Sequence, residues 1–105
     1  MFVCLLQAES FPEFVNVVCT VNPSSTQKKF QCEQPPCSKI RIAGLVEVKE
    51  TNKVKSKDIR KQITERFIQC KYPNGQWFKC SSEDIVEYCK RQSWFIQTVQ
   101  TENIE

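Results

Sequence analysis

Seven cysteines in a chain of 105 residues are the side chains best able to do chemistry here, and the complete lack of histidine narrows what that chemistry is. Thiols at this density are disulfides in an oxidising compartment, zinc ligands in a reducing one, or isolated reactive groups. No Cys-x-x-Cys pair occurs and the shortest interval is Cys32 to Cys37, so an intracellular Cys-only zinc module would need unusual gaps. No metal or other cofactor is expected.

An odd number of cysteines cannot pair completely. Met1 to Leu6 is apolar and Ala8 is small, so residues 1–8 read as the remnant of a signal peptide. Cleavage after Ala8 removes Cys4 and leaves Cys19, Cys32, Cys37, Cys70, Cys80 and Cys89, enough for three bridges. The stretch lacks a basic start and the full apolar length of a signal, so an ordinary strand with Cys4 a buried thiol is the alternative. Each bridge would contribute roughly 2–4 kcal/mol, comparable with the net stability of a small domain. Spacing does not select the connectivity. The hairpin register would set Cys70 opposite Phe78 or Lys79, so Cys70 and Cys80 are expected not to bond to each other.

Catalysis is not expected. Without histidine there is no Ser-His-Asp or Cys-His arrangement, and two glycines as far apart as Gly44 and Gly75 cannot build a phosphate-cradling loop. Glu83, Asp84 and Glu87 stand at a predicted helix start, where acids complement the helix dipole.

The charge distribution points instead to binding. Between Lys28 and Lys79 there are 13 Lys or Arg against 5 Asp or Glu, a net +8, while the rest of the chain carries −5. Lys53, Lys55, Lys57, Arg60 and Lys61 would present several cations to one polyanion, with heparan sulfate the natural candidate outside a cell. Tyr72, Trp77 and Phe78 interleave with Lys71 and Lys79, but no nucleic acid partner is expected, because disulfides imply an extracellular setting. In Cys32-Glu-Gln-Pro-Pro-Cys37 two prolines stiffen the loop, which reads either as a plain rigid turn or as a preorganised contact through Gln34, Pro35 and Pro36, and a protease inhibitor acting through this loop is the alternative function. Trp77 and Trp94 are the aromatics that could join an interface. No stretch is long and apolar enough for a membrane span. Asn22 is followed by proline, so no N-glycosylation acceptor exists.

The elements that must position these residues follow from periodicity. Phe14 to Val21 is β-branched and reads as a strand, closed by an Asn22-Pro23-Ser24-Ser25 turn, with Lys28 to Cys32 a short partner strand. From Lys39 to Lys49, Ile40, Ile42, Val46 and Val48 face one way and charged residues the other, with Gly44 marking a bulge or a close backbone approach. Ser56 stands as an N-cap before Ile59, Ile63 and Phe67, the apolar face of a short helix. Tyr72-Pro73-Asn74-Gly75 joins a hairpin with arms Phe67 to Lys71 and Gln76 to Cys80. Ser81 or Ser82 caps a long C-terminal helix whose apolar face is Ile85, Tyr88, Cys89, Ile96 and Val99, stapled to the sheet by Cys89.

The expected architecture is α+β: one small disulfide-rich domain over residues 9–100, with a mainly antiparallel sheet, a short middle helix and a longer C-terminal one, and a frayed tail at 101–105. In outline this resembles a chemokine, but that family's adjacent or once-spaced cysteine pair is absent. The expected function is that of a secreted binding domain, a ligand or decoy for an extracellular protein or cell-surface receptor.

Overall fold

The computed structural model describes residues 1–33, 39–72 and 77–99. Its elements are β1 (Phe2–Ala8), β2 (Phe11–Thr20), α1 (Pro23–Glu33), β3 (Ile40–Val48), α2 (Ser56–Arg66), a 3-10 turn (Ile68–Cys70), β4 (Trp77–Lys79), α3 (Ser82–Lys90) and β5 (Phe95–Thr98). The strands form one sheet in the order β4-β2-β1-β3-β5, with every neighbouring pair antiparallel. The α+β class with an antiparallel sheet is as expected.

The segment read as a signal remnant is β1, the middle strand. Both edges of its backbone are paired, to β2 and to β3, and Val3, Cys4, Leu5 and Leu6 are completely buried. Cleavage after Ala8 would take the centre out of the sheet, so the alternative of an ordinary strand with Cys4 a buried thiol describes this structure. An apolar run with no alternation suits a strand covered on both faces.

Helices cover those two faces. Val3 and Leu5 point into a cluster with Val15, Val17, Val46, Val48, Phe78 and Trp94, which α2 closes with Ile59 and Ile63 and α3 with Ile85 and Cys89. Cys4, Leu6 and Ala8 point the other way, to Ile40 and Leu45, where Phe30 of α1 packs.

The turn and partner strand expected after β2 are instead helix α1. Asn22 caps it: Ser25 N–H donates to Asn22 Oδ1 at 3.1 Å and Thr26 N–H to Asn22 O at 3.1 Å. Proline then occupies the first helical position, where its missing N–H costs nothing. Gln27 Nε2 donates to Ile40 O (3.0 Å) and Ile40 N–H to Gln31 Oε1 (2.7 Å), tying α1 to the start of β3.

Within β3 the expected single apolar stripe is divided between two faces. Leu5 pairs with Gly44 but Leu6 with Ile42, so Ala43 is an extra residue. Such a bulge reverses the phase of alternation. Ile40, Ile42 and Leu45 therefore pack on the α1 side, and Val46 and Val48 on the α2–α3 side.

The expected long last helix ends at Lys90, and the chain finishes its described course in a strand. In β5 Phe95 pairs with Val48, Gln97 with Glu47 and Thr98 with Val46, which satisfies the outer edge of β3. Ile96 is 47% exposed, so the apolar face extrapolated to it does not exist. The chemokine-like outline fails with that helix.

Candidate functional site

The basic segment is a surface built around one inward residue. Thr51 Oγ1 accepts from Lys53 N–H (3.2 Å) and Val54 N–H (3.0 Å), and Val54 packs against the α2–α3 core. Lys53 and Lys55 flank it and are exposed. Helix α2 starts one residue earlier than expected: Lys55 is the N-cap residue and Ser56 is already helical. Carboxylates do the capping, Glu50 accepting from Ser56 N–H at 2.9 Å and Asp58 from Lys55 N–H at 2.9 Å. These acids offset the poor placement of lysines at a helix N-terminus.

Burial of Ile59 and Ile63 turns Lys57, Arg60 and Lys61 outward, at the three- and four-residue spacing that gathers side chains on one helix face. All five predicted cations are therefore exposed on or just before the first half of α2. Among the described residues the ion pair lies elsewhere, between Lys90 and Glu87 at 2.9 Å, and involves none of them.

Other predicted contacts are not on this surface. Trp94 is 3% exposed and its Nε1–H donates to Gln62 Oε1 at 3.0 Å, while Trp77 packs half-buried beside Leu6 and Ile40 on the α1 side. Trp94 is therefore core rather than an interface aromatic, while Trp77 stays partly exposed. Gln34, Pro35, Pro36 and Cys37 lie outside the described residues, and Cys32 is exposed near the end of α1. Glu83, Asp84 and Glu87 begin α3, capped as expected by Ser81, whose Oγ accepts from Glu83 N–H at 3.2 Å. They line an open cleft of about 340 Å³ with Ala43, Val86 and Lys90.

Cys4, Cys19, Cys32, Cys70, Cys80 and Cys89 are free thiols. Burial pushes Cys4 up to about 12. Burial also pushes Cys89 up to about 12, helped by the neighbouring Cys19. Cys19 rises to about 11 through burial, with Arg60 opposing and Glu50 adding to the shift. Cys80 rises to about 11 through burial, then through the charge of Cys70 and of Asp84 and a side-chain hydrogen bond with Cys70.

The expectation that Cys70 and Cys80 are not bonded to each other agrees with both being free thiols; what sequence reasoning missed is that the two are neighbours. Lys71 bridges Phe78 and Tyr72 N–H donates to Trp77 O at 2.9 Å, so Cys70 does stand across from Lys79 in register. Residues 68–70, however, form a 3-10 turn rather than a strand, and period-two alternation does not govern where Cys70 points. Two cysteines flanking Tyr72-Pro73-Asn74-Gly75 were the available signal; the turn expected there lies, from Pro73 to Gln76, outside the described residues. No group of three His, Cys, Asp or Glu suited to a metal ion occurs among the described residues. Comparison with protein-family models, curated proteins and solved structures finds no match.

Proposed function

We propose that this chain is an extracellular binding domain that contacts a sulfated polysaccharide of the heparan sulfate type through Lys53, Lys55, Lys57, Arg60 and Lys61, and engages a protein partner such as a cell-surface receptor. The observation that carries the polyanion contact is the exposure of all five cations at one end of α2, none ion-paired among the described residues. Such a cluster raises the local concentration of an anionic chain and gains from releasing its counterions. The extracellular setting rests on seven cysteines in 105 residues. It does not require cleavage after Ala8: with Cys4 a buried thiol inside β1, six other cysteines are left to pair.

Retention on immobilised heparin tests the reading. Lys57→Ala, Arg60→Ala and Lys61→Ala together should weaken binding by about tenfold, at roughly half a kcal/mol per exposed cation. Lys28→Ala, Lys29→Ala and Lys39→Ala remove the same charge from exposed positions elsewhere and should leave most of the retention. Equal loss in both triple variants would show only a response to net charge and would sink the assignment of the site.

A further inference from the structure

We propose that Cys70 and Cys80 are a redox couple, closing to a disulfide that clasps the 3-10 turn after α2 to the entry of α3. The proposal is independent of the polyanion contact. Its foundation is the hairpin geometry: the Lys71–Phe78 bridge and the Tyr72 N–H to Trp77 O bond hold the two chain segments side by side. Cys70 N–H donates to Phe67 O at 2.9 Å, which fixes the turn on one side. On the other, Lys79 pairs with Phe14 of β2 and Ser81 caps α3, which fixes the backbone on both sides of Cys80. Both segments are thus anchored independently, with Cys70 across from Lys79 in register and Cys80 the next residue along, so the two thiols are neighbours.

Access differs from that of the other buried thiols. Cys4 and Cys89 are wholly enclosed, whereas Cys80 is partly exposed and lines an open cleft of about 450 Å³ with Lys79, Ser81 and Glu13. Burial and the Cys70 neighbour keep the proton on Cys80, which suits Cys80 to the second, intramolecular step.

The oxidant class is a small disulfide such as oxidised glutathione. The Cys70 thiolate attacks one of its sulfurs, the S–S bond breaks, and a mixed disulfide forms with release of one glutathione thiolate. Cys80 passes its proton to solvent and attacks the Cys70 sulfur, releasing the second thiolate. Two protein thiols are oxidised, one small disulfide is reduced to two thiols, and the two protons lost by the protein reappear on glutathione.

The full chain is equilibrated in buffers of varied reduced-to-oxidised glutathione ratio, quenched with N-ethylmaleimide and digested with trypsin and a glutamate-specific protease. Cleavage after Lys71 and Lys79 separates the two cysteines, and cleavage at Glu83 and Glu87 separates Cys80 from Cys89. A Cys70–Cys80 linked peptide, two hydrogens lighter than the free pair and disappearing as the buffer becomes reducing, is the expected result. A bridge over so short a loop should raise Tm by about 10 °C relative to the same protein reduced. The Cys70→Ser, Cys80→Ser double variant should lose that difference. Maleimide on both residues under oxidising conditions, or a bridge from either to another cysteine, would overturn the couple without touching the heparin result.

Discussion

A Cβ on Gly44 would lie 3.0 Å from Leu5 Cδ1 and 3.3 Å from Val86 Cγ2. Glycine is therefore the residue that lets α3 settle on β3 where the strand also pairs with β1. The neighbours are side-chain atoms, but Leu5 is fully buried and has little room to give. Gly44→Ala is expected to destabilise by about 1 kcal/mol and Gly44→Val by about 2–3 kcal/mol, read from urea midpoints at constant slope. Equal stability of all three proteins would mean that α3 sits farther from β3 than described. Sequence alone announced this glycine as a bulge or a close backbone approach; it lies next to the bulge, and what approaches it is side chains rather than backbone. What alternation could not show was the added residue at Ala43, which exchanges the faces of the two halves of β3.

Among the elements, β2, β3, α2 and the start of α3 were legible because their periodicity and caps agree with their tertiary surroundings. Helix α1 was not, since Asn22-Pro23-Ser24-Ser25 serves a turn or a helix start equally well, and only packing of Phe30 decides. β5 escaped because Ile96 and Val99 continue the helical spacing of α3, while the unpaired edge of β3 that captures them lies about fifty residues earlier. The basic surface was legible as a charge run. The thiol pair was not, because its geometry depends on a 3-10 turn that breaks strand alternation. β1 offers the sharpest test at this scale. A chain beginning at Glu9 should lose cooperative unfolding and native amide dispersion, since β2 and β3 are joined in the sheet only through β1. Retained dispersion would refute the strand order.

For the molecule as a whole, four thiols sit where ionisation is resisted. Cys4 and Cys89 are raised from 9.0 to about 12, and Cys19 and Cys80 to about 11. Between these values and 9.0 the unfolded chain has released protons that the folded chain retains, so ∂ΔG/∂pH is negative there. The contribution is complete below pH 9 and is lost as pH rises towards 11 to 12. Kept reduced, the protein should show a urea midpoint that falls steeply above about pH 9.5, and Cys4→Val should soften that fall. Lysine titration contributes equally to both proteins, so identical profiles would contradict the burial of Cys4. The position of β1 has another consequence, for the order of synthesis. The strand at the centre of the sheet is synthesised before both of its neighbours and can pair with β2 as soon as that strand emerges, but its second edge stays bare until β3 has followed. For that interval the nascent chain carries an open, apolar strand edge, the feature that templates aggregation. Rapid elongation through residues 21–39, or a chaperone that masks Phe2 to Leu6, would therefore govern yield more than the stability of the finished fold.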